Sequence, residues 1–171
     1  ETVNAVRALS KEGVTLADES RTPLYYHANA TYEGHAFTID IVLDELIHSI
    51  GHASATQDGM WIPDLDTLFA MKSATLVSRA SEKDLFDLDH MLQLLTHWEI
   101  GTLITAGQML DGGLDIETLL ISLKGARLRQ EACAFLLPDA KITVAQVFHK
   151  ITALRERLVA LLLTAAKHLP N

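Results

Sequence analysis

Apolar positions along the chain change their period twice. Val3, Val6 and Leu9 recur at three-residue spacing over residues 1–11 and run into Gly13, a pattern that predicts a helix closed by glycine. The stretches 24–32 and 36–43 are rich in aromatic and β-branched residues and flank Glu33-Gly34, so they predict a hairpin with a glycine-containing turn. Within its second strand Phe37, Ile39, Ile41 and Leu43 share one face, which leaves Thr38, Asp40 and Val42 on the other. Residues 14–17 and 60–62 are candidate short strands beside this hairpin. From Asp64 onward the period becomes helical, with predicted helices over 64–78, 82–95, 100–110, 115–124, 127–136 and 143–168, punctuated by Gly112-Gly113, Gly125 and Pro138-Asp139. The last carries a continuous stripe through Val144, Val147, Ile151, Leu154, Leu158 and Leu162, with Thr143 as its N-cap. The predicted class is α+β: a small, mostly antiparallel sheet followed by a helical bundle, with an α/β domain over 1–97 and a helical domain over 98–171.

Composition narrows the picture. A chain of 171 residues, 49% hydrophobic and 21% charged, has enough apolar material for one sizeable core or two small ones. Its longest apolar stretch, 158–166, is too short to span a bilayer, and the start lacks a basic-then-apolar signal pattern; the expectation is a soluble, cytoplasmic protein with no membrane partner. A helical pattern is already running at Glu1, so the chain reads as truncated or processed at its N-terminus. The single cysteine, Cys133, can form neither an internal disulfide nor a paired-cysteine metal site. The net charge of −8 is uneven: residues 1–110 hold 16 acids against 6 Lys and Arg, and residues 111–171 hold 6 acids against 8. An acidic first part disfavours wholesale phosphate-backbone binding and suits metal ions, while the basic second part suits an anionic partner.

One residue breaks the helical pattern. Lys72 falls at helical spacing from Leu65, Leu68, Phe69 and Leu76, on the stripe that should face the protein. An ammonium there needs a carboxylate, a phosphate or a route to solvent, because burying it alone costs several kcal/mol. Arg79 lies seven residues on, along the same face. The next helix opens Ser81-Glu82-Lys83-Asp84, with Asp84 and Asp87 leading its apolar side. With Asp40 these residues could line one cleft at the sheet's edge, a grouping suited to phosphoryl or nucleotidyl transfer, in which carboxylates hold Mg²⁺ and cations neutralise phosphate oxygens.

The run from Asp66 to Leu88, with Lys72, Arg79 and Lys83-Asp84-Leu85-Phe86-Asp87-Leu88, resembles the C-terminal motif region of AbiEii/AbiGii-type nucleotidyltransferase toxins, in the DNA polymerase β-like superfamily. A strand of the type Phe37-Thr38-Ile39-Asp40-Ile41-Val42 precedes that region in the family, and the resemblance covers roughly residues 14–95. It implies Asp40, Lys72, Asp84 and Asp87 as catalytic residues, Asp40 as a metal ligand, and Lys72, Arg79 and Lys83 facing the nucleotide. It also implies Mg²⁺ and a nucleoside triphosphate as ligands, RNA or protein as acceptor, often a cognate antitoxin, and leaves oligomerisation open. The family's Gly-Ser…Asp-x-Asp element is absent; on this resemblance it would lie upstream of Glu1, and the chain alone would be inactive.

Other readings stand beside these. Ser81-x-x-Asp84 is also a helix-capping pattern, Asp87 can pair with Lys83 or Arg79, and Lys72 can extend its head to water. His48 and His52 have the spacing of two metal ligands on a helix, and His27 and His35 could meet across the hairpin, without further ligands in support. The rival function is a non-catalytic helical interaction module whose long final helix binds a partner protein.

Overall fold

A computed structural model describes residues 6–43, 47–57, 61–135 and 140–168. The chain divides into two compact units, residues 1–45 and 46–171.

In the first unit a helical turn at 6–8 continues into a 3-10 turn, Leu9–Glu12, and ends on Gly13, whose φ of 90° lets its N–H reach back to the carbonyl of Leu9. Residues 1–5 of the expected helix lie outside the described residues. Three strands follow, β1 (Thr15–Arg21), β2 (Tyr25–Tyr32) and β3 (His35–Val42), paired antiparallel in the order β1-β2-β3. The β2–β3 turn is the expected Glu33-Gly34, both residues at positive φ. Its register sets Ile41, Ile39 and Phe37 opposite Tyr26, Ala28 and Ala30 on one face and Asp40 opposite His27 on the other. Tyr26 and Ala28 are buried with Val6, and Leu16, Ile39 and Ile41 pack against them. The first strand is longer than expected because the register shifts between Ala17 and Ser20, where Asp18 takes φ 51° and Asn29 donates to its carboxylate at 2.8 Å.

The second unit opens with a two-stranded ribbon, β4 (Ala53–Ala55) and β5 (Trp61–Pro63). The short strand expected at 60–62 thus pairs with β4, in a sheet separate from the hairpin. Five α-helices follow: α1 (Leu65–Ser78), α2 (Glu82–Leu94), α3 (Ile100–Gln108), α4 (Ile116–Gly125) and α5 (Val144–Ala166). Asp64, Ser81, Asp115 and Thr143 cap α1, α2, α4 and α5 through their side chains, each satisfying an N–H that has no partner in the helix. Phe69, Leu76, Leu85, Leu88, Leu103, Leu119 and Leu158 join one core. That core accounts for a difference from the sequence reading: α1 and α2, expected to belong with the sheet in a domain ending at residue 97, share their buried leucines with α3–α5. The helix expected over 127–136 is instead a 3-10 turn, Gln130–Cys133, within the described part of that stretch. The carboxylate of Glu82, at the start of α2, takes the Arg129 N–H at 2.7 Å, and the buried Cys133 side chain joins the core.

Helix α1 is enclosed on more than its leucine stripe. Thr67, Ala70 and Ser73 are also buried, and a Cβ on Gly107 of α3 would meet the α1 backbone at Ala74 N and Ser73 C, both at 3.2 Å. Small residues at 70, 73 and 107 allow this close approach. No helix among the described residues is long and apolar enough to cross a membrane.

Candidate functional site

Lys72 meets acids. Its ammonium lies 3.2 Å from Asp84 Oδ1 and 2.7 Å from Asp87 Oδ2, bridging α1 to the first turns of α2. Arg79, just past the end of α1, brings its Nε to 3.1 Å from Asp84 Oδ2. The Ser81 hydroxyl donates to the same oxygen and accepts the Asp84 N–H at 3.3 Å. Both oxygens of Asp84 are therefore engaged, and its side chain is 3% exposed against 23% for Lys72, 30% for Asp87 and 68% for Arg79.

Local sequence builds this cluster. Three residues, Arg79-Ala80-Ser81, carry the chain from α1 into α2, so a lysine two turns before the end of α1 faces acids in the first turns of α2. Ser81 as N-cap fixes where α2 starts and hence where Asp84 and Asp87 project. An anionic Asp84 in that first turn also interacts favourably with the helix dipole. The capping and ion-pair readings of Asp84 hold together in one geometry. Asp87 pairs with Lys72, whereas the sequence suggested Lys83 or Arg79; Lys83 itself is exposed.

Two cations and two carboxylates neutralise one another here, with Arg79 at the solvent edge. Arg79 also lines a cleft of about 510 Å³ with Val77, Thr118, Ile121, Ser122 and Ala126, at the ends of α1 and α4. Sequence periodicity gave no signal for this cleft, because its walls come from helices more than thirty residues apart.

Asp40 belongs to the first unit, whereas Lys72, Arg79, Asp84 and Asp87 belong to the second. Within its own sheet Asp40 takes the Tyr25 hydroxyl and lies 2.8 Å from His27 Nδ1, both at Oδ1. The Tyr25 hydrogen bond, reinforced by His27 and Thr38, holds the Asp40 carboxyl below its usual range. His27 was not expected to partner Asp40. His35 pairs with Tyr32 at the hairpin tip while His27 sits opposite Asp40, so the two histidines do not meet across the hairpin. The side chain of His48 lies outside the described residues. His52 sits in the turn before β4, where its N–H is bound by Asp64 at 2.6 Å.

No group of three or more His, Cys, Asp or Glu side chains among the described residues could hold a metal ion. Asp40 contributes a single carboxylate, one oxygen of which is already engaged by Tyr25 and His27. Comparison with protein-family models, curated proteins and solved structures finds no match.

Proposed function

We propose that the chain is the C-terminal portion of an AbiEii-like nucleotidyltransferase, which transfers a nucleotide from a nucleoside triphosphate to RNA or protein. The supporting observation is that Lys72, Arg79, Asp84 and Asp87, four of the five charged residues named in the phrase on which the resemblance rests, gather into one cluster although they span positions 72 to 87, while Lys83 lies outside it. In this reading Asp84 is a positioning residue: buried and fully engaged, it sets the heights of the Lys72 and Arg79 cationic heads, which face phosphate oxygens. Asp87 shares Lys72 and yields it when phosphate arrives. Lys83, exposed on the first turn of α2 and without an ion-pair partner among the described residues, adds positive potential. Asp40, in the first unit, is the carboxylate that the resemblance assigns to Mg²⁺. On this reading transfer requires a Gly-Ser…Asp-x-Asp element, which these 171 residues do not contain.

The experiment is to read the coding sequence 5′ of Glu1 and assay its complete product for transfer of labelled nucleotide. The reading expects the missing element upstream, and transfer that Lys72→Met abolishes without loss of fold. A complete product without that element, or transfer indifferent to Lys72→Met, would overturn it.

A second reading has its own observation. Every charge in the cluster is already paired, an arrangement that also serves simply to lock α1 onto α2. A non-catalytic interaction module would need nothing more from these residues.

A further inference from the structure

The two edges of the first unit's sheet are built differently. β1 carries Asp18, Glu19 and Arg21, and its register slips between Ala17 and Ser20, with Asp18 at φ 51°. Charge and a bulge are devices that keep an edge strand from pairing with another chain. β3 lacks both. Each of its residues pairs one to one with β2, Asp40 is its single Asp, Glu, Lys or Arg, and it holds no proline. Phe37, Val42 and the following Leu43 are 43%, 64% and 58% exposed. No strand among the described residues pairs with its outer side.

Hydrogen-bond parity fixes what that outer side offers. The Leu43 N–H donates to the Leu24 carbonyl at 2.8 Å, one step along the register that sets Tyr25 opposite Val42. Residues of an antiparallel strand alternate between bonding across a ladder and facing away from it, so His35, Phe37, Ile39 and Ile41 bond to β2 as Leu43 does. Ala36, Thr38, Asp40 and Val42 therefore direct their N–H and C=O groups outward.

The stretch 35–43 has its midpoint at Ile39. A second copy turned about a two-fold axis at that point sets Ala36 opposite Val42 of the other copy and Thr38 opposite its Asp40, so every outward residue finds a ladder partner. On the opposite face Phe37 meets Ile41 and Ile39 meets Ile39, which continues the apolar row that packs on Tyr26 and Ala28. An axis at Asp40 would set two carboxylates face to face, a destabilising pair, and an axis at Thr38 would leave Val42 beyond the end of the other strand. Full overlap and charge select the same register.

We propose that the β3 edge is the contact between two copies of this chain, paired antiparallel about Ile39 so that their sheets become continuous. The inference goes beyond the transferase reading and does not rest on it.

Sedimentation of the 171-residue chain over a range of concentrations, with amide hydrogen exchange read at each, tests it. The expected species is a dimer that dissociates on dilution. Amides of Ala36, Thr38, Asp40 and Val42 should be protected in the dimer and exchange freely in the monomer, while those of Ile39 and Ile41 stay protected in both. Thr38→Pro removes an outward N–H that β2 does not use, and should give a monomer with Ile39 and Ile41 still protected. Thr38→Asp places an acid opposite Asp40 of the other copy and should raise the dissociation constant about tenfold or more, whereas Thr38→Lys places a cation there and should leave it equal or lower. This charge pair decides the matter even where Thr38→Pro does not fold. A chain that stays monomeric, a dimer whose Thr38 and Asp40 amides exchange freely, or equal dissociation constants for Thr38→Asp and Thr38→Lys would each overturn the inference. Protection of Thr38 and Asp40 in the monomer would overturn it too, by showing that another segment of the chain covers the edge.

Discussion

Lys72 on α1 and Asp84 on α2 face each other across 3.2 Å, and the acid is the more deeply buried, 3% exposed against 23%. The asymmetry matters for mutation. Taking away Lys72 leaves Asp84 still bound by Arg79 and Ser81, whereas taking away Asp84 removes a partner from all three.

Lys72→Met is therefore expected to change unfolding free energy by less than about 1 kcal/mol, since a methionine stem fills the same space, Asp84 keeps Arg79 and Ser81, and Asp87, which loses its partner, is 30% exposed to water. Asp84→Ala should cost about 2–4 kcal/mol, combining a lost buried ion pair with a lost packing volume at the helix start. Urea denaturation of both, and of the double variant, checks this. The double variant should be less destabilised than the sum of the singles, as contacting residues require.

Gly107 and Gly101 lie in the same helix and should respond oppositely to alanine. Helix propensity favours alanine by about 1 kcal/mol at an interior position. At Gly107 that gain is outweighed by the α1 backbone, 3.2 Å from the added Cβ, and by the Leu114 side chain. Overpacking of this kind costs about 1–3 kcal/mol. Nothing lies within 4 Å of the corresponding Cβ at Gly101. Thermal melts should show Gly107→Ala less stable than the parent and Gly101→Ala equal or more stable; the reverse order would contradict the close α1–α3 approach.

Asp64 supplies a pH dependence. Hydrogen bonds from the His52 N–H first, then from the Thr67 N–H and side chain, lower its pKa to about 2. A carboxylate whose folded pKa lies below its unfolded value of about 3.9 contributes stability that is complete above the unfolded value. That contribution is lost as pH falls from about 4 towards 2. Asp64→Asn should flatten the acid limb of a stability-against-pH curve in this window, and leave the slope near neutrality unchanged. Gly51→Ala attacks the same joint, since its Cβ would lie 2.5 Å from Asp64 Oδ1 and 2.6 Å from Thr67 Oγ1.

These residues also mark how far the sequence could be read. Asp64 and Asp115 were read as the first residues of their helices, whereas two caps were legible, because Ser81 and Thr143 each precede a periodic run by one residue and the cap chemistry is local. The same holds for the Glu33-Gly34 turn, and for the need of Lys72 for an anionic partner. What pairs with what was less legible. Ala53-Ser54-Ala55 has no strand pattern, so β5 was given the wrong neighbour. Residues 127–136 looked helical because periodicity cannot register the bond from Arg129 N–H to Glu82, nearly fifty residues away. Thr67, Ala70 and Ser73 were passed over as core positions because small and polar residues carry little weight in an apolar stripe; close approach of α3 buries them. His27 went unassigned to Asp40 because its role depends on hairpin register, which the strand pattern does not fix to one residue.

If the Lys72 and Arg79 cationic heads are held in place to meet phosphate, each should contribute to nucleotide affinity. Equilibrium binding of Mg²⁺–nucleoside triphosphates to the 171-residue chain, compared with Lys72→Met and Arg79→Met, tests it most directly. Measurable affinity is expected, dropping about tenfold or more in each variant, the loss that follows when a charge-assisted contact worth about 1.5–3 kcal/mol is removed, with the stability of Lys72→Met within about 1 kcal/mol of the parent. Equal affinity in all three proteins, or none in the parent, would contradict it and leave the four charges as a lock between α1 and α2.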